Sequence, residues 1–180
     1  MQDDQEQLIR GIYRTYYKDV YHFLLYFTGD VNEAEDLTQE AFIRILGSLS
    51  HYDAEKANRK TWIMTIAKYT AIDHYRKRKI QYLFMEKWLR RLPATDGSPE
   101  GALDQQEEEK LIEKALGTLK PQYRMVVILR CIKGYSVKEA AEILECSEAK
   151  IKVDYHRAIK QLQQTLSPVG NGRWLHELVE

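Results

Sequence analysis

The residues with the clearest chemistry are cations and aromatic rings interleaved between positions 60 and 79. They are Lys60, Trp62, Lys68, Tyr69, Tyr75, Arg76, Lys77, Arg78 and Lys79. Cations pair with phosphates and flat rings stack on bases, which is how proteins hold single-stranded nucleic acid. The run 76–79 alone has a simpler explanation, because cations are favoured at a helix C-terminus. Any single ring is more often a core residue, so the combination is what favours a nucleic-acid interface.

A single helix must position these side chains. Ile63, Ile66, Ala67 and Thr70 recur at i, i+3, i+4 and i+7, the spacing of one apolar helix face. No Gly or Pro interrupts residues 60–79. The pattern therefore predicts an amphipathic helix with this stripe turned inward.

A second candidate surface lies on the preceding predicted helix, at about residues 31–49. Its expected inner stripe is Leu37, Ala41, Phe42, Ile45 and Leu49. Asp36, Gln39, Glu40 and Ile43 share a different face. A solvated acidic face is the simpler interpretation. An isoleucine among acids instead favours a docking surface for a basic partner helix.

The helical spacing continues through nearly the whole sequence, and strand patterns are almost absent. The clearest interruption is Pro93-Ala-Thr-Asp-Gly-Ser-Pro-Glu-Gly101, whose composition is typical of a linker. The sequence therefore predicts an all-α chain of two small helical domains joined by a flexible linker. The expected boundaries are 1–92, a linker at 93–104, a second domain at 105–168 and a tail at 169–180.

The second domain has the pattern of a helix-turn-helix. Residues 136–139 read Ser-Val-Lys-Glu, a capping box that predicts a short helix over 137–144. A turn at 145–147 and a helix from 148 to about 166 complete the motif. The candidate DNA contacts on its second helix are Lys150, Lys152, Tyr155 and Arg157, because such a helix lies in the major groove. A plain helical hairpin is the alternative.

Charge is balanced overall but unevenly distributed. The formal net charge is zero, yet residues 1–55 carry eleven acids and four bases, whereas residues 56–92 carry eleven bases and two acids. This asymmetry predicts two partner surfaces, one for a protein and one for a polyanion.

The remaining chemistry is sparse. Cys131 and Cys146 lack CxxC spacing, so we expect buried free thiols. We find no pattern typical of a metal site and no convergent nucleophile and base, so neither a metal, a cofactor nor catalysis is predicted. The first residues do not resemble a signal peptide, and no apolar run approaches the roughly 20 residues of a membrane helix. A cytoplasmic protein is expected.

The order of these parts resembles the bacterial RNA polymerase sigma factors, specifically the extracytoplasmic-function (ECF) group. The resemblance spans about residues 12–166. Asp36-Leu-Thr-Gln-Glu-Ala-Phe42 is similar to the family's core-polymerase docking motif, and residues 60–77 are similar to its promoter-melting helix. Leu119-Lys-Pro121 and residues 126–134 resemble the start of its second domain. Tyr135-Ser-Val-Lys-Glu-Ala-Ala141, together with His156-Arg-Ala158, resembles its helix-turn-helix.

The resemblance implies a transcription initiation factor. Asp36, Gln39, Glu40 and Ile43 would bind the coiled coil of the polymerase's β′ subunit, and the linker would thread along the polymerase, whose β′ and β subunits are the implied partners. The residues implied to recognise and melt the minus-ten element are Lys60, Trp62, Lys68, Tyr69, Arg76, Lys77 and Arg78, with the loop 51–59 helping to form a pocket for a flipped base. The minus-thirty-five element would be read by Lys150, Lys152, Tyr155 and Arg157. The implied partners are core RNA polymerase, promoter DNA and an anti-sigma factor, which is commonly membrane-anchored.

The sequence departs from the family pattern at three positions. Tyr69 stands where the family often has Asn, and Asp154 and Ile159 stand where it often has Arg. An acid on a recognition helix repels phosphate but can accept a hydrogen bond from cytosine. Asp154 therefore either alters sequence choice or faces away from DNA.

Two other functions remain open. An ordinary helix-turn-helix regulator would bind DNA without polymerase and would have no use for the stripe at 36–43. A helical protein-interaction module would have basic runs that are merely solvated faces, and it would show no dependence on DNA.

Overall fold

The computed structural model describes residues 2–89 and 105–166, with side chains described at 6–82 and 112–165. The helices of the first domain are α1 (Gln2–Thr28), α2 (Val31–Gly47), a 3-10 turn (Leu49–His51) and α3 (Arg59–Leu89). Those of the second are α4 (Gln105–Thr118), α5 (Pro121–Val127), a π-helical turn (Ile128–Ile132), α6 (Val137–Leu144) and α7 (Glu148–Leu166). No strand occurs within these ranges, and the predicted all-α class is confirmed. The predicted linker and tail lie outside the described residues.

The first domain is built on apolar faces that α1, α2 and α3 present to one another. Its fully buried side chains include Phe23, Leu24, Phe27, Ala34, Ala41, Ile45, Ile63, Met64 and Ala67. The predicted inner stripes are confirmed at Leu37, Phe42 and Thr70 as well, whereas Ile66 is only partly buried. Leu49 is also partly buried, because α2 already ends at Gly47. Full burial of one such aliphatic or phenyl side chain contributes about 1.5–3 kcal/mol.

The helix-turn-helix forms as its capping signals predict. Ser136 Oγ accepts from the backbone N–H of Glu139 at 3.1 Å, and the Ser136 N–H donates to Glu139 Oε2 at 2.8 Å. Ser147 Oγ accepts from the backbone N–H of Lys150 at 3.2 Å at the start of α7. These side chains satisfy N–H groups that have no partner inside their own helices.

The second domain packs directly on the first. Helix α1 contacts α4, α5 and the π-helical turn, and α3 contacts α6. The Arg124 guanidinium lies 5.4 Å from the Phe27 ring centroid and donates to the Phe27 carbonyl at 2.5 Å. Lys133 Nζ lies 2.5 Å from the carboxylate of Asp19. Polar contacts therefore join the two domains alongside their shared apolar core.

We expect Ser136→Ala to lower the free energy of unfolding by about 1 kcal/mol, the usual contribution of an N-cap side chain. Urea denaturation followed by circular dichroism measures the change. Ser50→Ala is the matched control, because the Ser50 hydroxyl is exposed and contacts only its neighbour His51 among the described residues. Equal stability of the two variants would contradict a capping role for Ser136.

Candidate nucleic-acid and docking surfaces

The N-terminal end of α3 is ordered by the loop before it. Asn58 Oδ1 accepts from the backbone N–H of Lys60 at 2.9 Å, which fixes where the helix begins. The partly buried Trp62 packs on Tyr52, with ring centroids 4.9 Å apart. Tyr52 donates its hydroxyl to the carbonyl of Ala57 at 3.1 Å. Tyr52 of the loop and Trp62 of α3 thus form one aromatic pair at the N-terminal end of the basic helix.

The basic run at the middle of α3 is exposed. Arg76, Lys77 and Lys79 have no ion-pair partner within the described ranges. Arg78 instead contacts both carboxylate oxygens of Glu33 at 2.6 and 2.7 Å, and His74 lies 3.2 Å from the same carboxylate. Most of the run is therefore free to meet a polyanion, while Arg78 also ties α3 to α2.

Lys68 and Tyr69 are instead engaged by the second domain. Lys68 is 3% exposed, and its Nζ lies 2.5 Å from Oε2 of Glu145, the residue that follows α6. Tyr69 donates its hydroxyl to the same oxygen. The pKa of Glu145 is lowered, mainly by the hydrogen bond from Lys68 and then by that from Tyr69. The pKa of Tyr69 is raised, mainly by its hydrogen bond to Glu145. Lys60 Nζ likewise lies 4.4 Å from the ring centroid of Tyr135 in the second domain.

The predicted docking stripe on α2 lies on an open surface. Asp36 and Gln39 are exposed, and Ile43 is 71% exposed, the largest value among the exposed apolar residues in the described ranges. Glu40 pairs with Arg44 at 2.6 Å, and Arg44 also reaches Asp73 of α3 at 2.9 Å. The stripe therefore combines one carboxylate without an ion pair among the described residues, one paired carboxylate and an exposed aliphatic side chain.

The four candidate contacts on α7 fall into two groups. Lys152 and Arg157 are exposed, without an ion pair among the described residues. Lys150 lies 2.6 Å from Asp154, whose hydrogen bond raises the pKa of Lys150. Tyr155 is partly buried, with its hydroxyl 3.4 Å from the thiol of Cys131.

Both departures on α7 are turned away from solvent. Asp154 is 4% exposed and Ile159 is 7% exposed. Asp154 follows the buried Ile151 by three residues and precedes the buried Ala158 by four, so helical spacing already indicated its inward direction. Of the two explanations for Asp154, the structure supports the one in which it faces away from DNA.

Helix α3 and the second domain enclose a groove of about 650 Å³. The cations that line it are Lys68, Arg76, Lys79, Lys120 and Lys150. Its apolar surface comes from residues such as Ile72, Met125, Val126, Leu144 and Ile151. Asp154 is the acid in its described lining, and Cys146, a free thiol like Cys131, also lies there. The groove places Lys68 and Arg76 of the predicted minus-ten set beside Lys150 of α7.

Sequence reasoning missed the residues that join the domains. Glu145 and Arg124 were not candidates, because each acts on a partner far away in the sequence: 77 residues separate Glu145 from Lys68, and 97 separate Arg124 from Phe27. Local periodicity carries no signal for such pairs. The one available hint was the placement of Glu145 in the turn of the helix-turn-helix.

The described chain is all-α, with an exposed basic run on α3, a helix-turn-helix and a separate exposed stripe around Ile43. Sigma-70 region 2 matches residues 12–80, and Sigma-70, region 4 matches residues 109–162. The ECF RNA polymerase sigma factor SigX of Bacillus subtilis (strain 168) is 36% identical over 163 residues, covering 88% of this chain and 84% of that protein. RNA polymerase sigma factor YlaC of the same organism is 33% identical over 161 residues, covering 88% and 92%. The chain therefore belongs to the ECF group of RNA polymerase sigma factors.

Solved structures share this fold. The sigma factor RpoE from Bartonella quintana, in complex with the anti-sigma factor NepR, aligns with a TM-score of 0.68 at 23% identity, covering 93% of this chain and 98% of that one. CnrH, in complex with the cytosolic domain of CnrY, aligns with a TM-score of 0.60 at 20% identity, covering 93% and 90%. Within the described ranges, no helix is both long and apolar enough to cross a membrane, and no cluster of His, Cys, Asp and Glu is placed to hold a metal ion.

We expect Asp154→Asn to release Lys150 for phosphate contact. The affinity for duplex DNA should rise, and the slope of log affinity against log salt should steepen by about one, the effect of one additional phosphate contact. Fluorescence anisotropy with a duplex of arbitrary sequence, over a salt series, measures both quantities. Glu142→Gln removes the same charge from an exposed site of α6 and is the control; equal slopes for the two variants would contradict the prediction.

Proposed function

We propose that this chain is a transcription initiation factor that binds core RNA polymerase, directs it to specific promoters and promotes DNA melting. The observation that carries the proposal is the presence, in one domain, of a basic and aromatic helix and a separate exposed stripe around Ile43. A regulator that acts on DNA alone has no use for the second surface. The joint match to regions 2 and 4 supports the same conclusion.

Core polymerase would dock on Asp36, Gln39, Glu40 and Ile43. The exposed Ile43 supplies apolar area that a partner can remove from water, and the carboxylates supply charge complementary to a basic helix. Glu40 can exchange its contact with Arg44 for one with such a partner at small cost, because Arg44 keeps its contact with Asp73. We assign this role to the coiled coil of the β′ subunit, with further contacts to β along the linker proposed at 93–104.

The minus-ten element would be opened along α3. Lys60, Lys68, Arg76, Lys77 and Arg78 would track phosphates, and the rings of Trp62 and Tyr69 would contact bases. Unstacking a base costs a few kcal/mol, and stacking on a protein ring returns about 1–3 kcal/mol per base. Tyr69 is 45% exposed, so its ring face is accessible in part even while its hydroxyl is bound to Glu145.

The minus-thirty-five element would be read by α7. Lys152 and Arg157 are ready for this role because both are exposed and unpaired within the described residues. Lys150 would contribute once it leaves Asp154. Tyr155 would contribute mainly by fixing α7 on the π-helical turn, since its hydroxyl lies against Cys131.

The proposed role is binding and not catalysis, and it requires no cofactor. It would put the chain in the cytoplasm with the polymerase and the promoter. We further propose that the regulator is an anti-sigma factor, a class of protein that is commonly membrane-anchored. The structure of RpoE contains the anti-sigma factor NepR, and that of CnrH contains the cytosolic domain of CnrY, which supports this partner.

Run-off transcription on pooled genomic fragments, with purified core polymerase and with or without the full chain, tests the proposal. Discrete transcripts that appear only with the chain are the expected result. Binding to duplex DNA without any new transcript would contradict it and would support an ordinary helix-turn-helix regulator.

We expect the double substitution Asp36→Ala and Glu40→Ala to weaken core-polymerase binding by about tenfold, the size of effect typical of paired interface charges. Biolayer interferometry with immobilised polymerase measures the affinity. The double substitution Glu55→Ala and Glu142→Ala is the matched control, because it removes the same charge from two other exposed sites. Equal affinities for the two double variants would exclude the stripe as the docking site.

A further inference from the structure

The turn of the helix-turn-helix reaches across to the basic helix through Glu145. This residue has φ 53° and ψ 49° at the end of α6, and it is the one non-glycine residue with positive φ in the described part of the chain. Residues other than Gly, Asn and Asp rarely adopt this left-handed backbone conformation. Here it accompanies a carboxylate that contacts both Lys68 and Tyr69 of α3.

The contact with Glu145 is what permits Lys68 to be buried. A buried ammonium is costly unless an anion and hydrogen bonds accompany it. Glu145 is the partner of Lys68 in the described ion pairs, and its own side chain remains 52% exposed. The pair therefore lies at the edge of the interface, where a competing anion can reach it.

The carboxylate of Glu145 is held by two donors of α3 that suit a phosphate equally well. An ammonium and a phenol hydroxyl converge on one of its oxygens, the kind of donor pair that a phosphate also accepts. We propose that Glu145 is an intramolecular mimic of phosphate that latches the second domain over the minus-ten face of α3. This inference rests on the proposed function of α3.

Among the polar contacts between the domains, the latch is one that DNA could displace. Lys133 and Asp19 are 12% and 32% exposed, and Arg124 donates to a backbone carbonyl at the end of α1. Neither contact lies on the predicted DNA-binding residues. Lys60, by contrast, rests on the ring of Tyr135, so three of the seven minus-ten residues are engaged by the second domain. The closed chain therefore competes with DNA for its own binding face.

The latch predicts that releasing Glu145 exposes Lys68. Glu145→Asn removes the charge and shortens the side chain, yet asparagine tolerates the left-handed turn. Hydrogen bonds to a charged group are worth enough to shift the ratio of open to closed chain by about tenfold. We expect acetylation of Lys68 by acetic anhydride, followed by peptide mass spectrometry on the full chain, to accelerate by about that factor.

Internal and matched controls accompany this measurement. The exposed Lys77 should react at the same rate in every variant, and Glu142→Gln should leave Lys68 as slow as in the unaltered chain. Glu145→Gln, which keeps the length but not the charge, provides a second variant if Glu145→Asn fails to fold. Lys68 reacting as fast as Lys77 in the unaltered chain, or unchanged in both Glu145 variants, would overturn the latch.

Binding of fluorescein-labelled oligothymidylate, followed by anisotropy, tests whether the latch covers the DNA face. We expect Glu145→Asn to bind it about tenfold more tightly than Glu142→Gln does. Faster Lys68 acetylation with equal oligonucleotide affinity would overturn the competition with DNA. Neither experiment contains polymerase, so their outcome is independent of whether run-off transcripts appear.

Discussion

The arrangement of the domains depends on one buried cation. Lys68 is 3% exposed, and an ammonium at that depth requires an anion within contact distance. Glu145 supplies this anion from the second domain, and Tyr69 donates its hydroxyl to the same carboxylate oxygen. This requirement favours the position of the helix-turn-helix on α3, and the shared apolar core and the contacts of Arg124 and Lys133 with α1 favour it as well.

The first domain carries its two candidate surfaces on different helices that are joined by charged contacts. Arg44 links Glu40 on the docking stripe to Asp73 on α3, and Glu33 links α2 to Arg78. Charged contacts therefore brace α2 against α3 on the sides that the apolar core does not cover. A polymerase bound to α2 would hold α3 in a fixed orientation towards DNA, as promoter melting requires.

The helices and the helix-turn-helix could be predicted because their signals are local. The Ser136 capping box and the stripe of Ile63, Ala67 and Thr70 each depend on residues within two turns of one another. The burial of Asp154 could also have been predicted, from its spacing to Ile151 and Ala158. The engagement of Lys68 by Glu145 could not, because a pair 77 residues apart leaves no mark on local periodicity. The exposure of Lys152 and Arg157, in contrast, could be predicted once helical periodicity had indicated which face of α7 is buried.

The most direct test of this account is the distance between the two domains in the free chain and on core polymerase. Spin labels on cysteines introduced at the exposed Glu55 and Glu142, with Cys131 and Cys146 replaced by alanine, would report it by pulsed electron resonance. The account predicts one short, narrow distribution for the free chain and a longer distance when polymerase is bound. The same distribution in both states, or a broad one in the free chain, would contradict it.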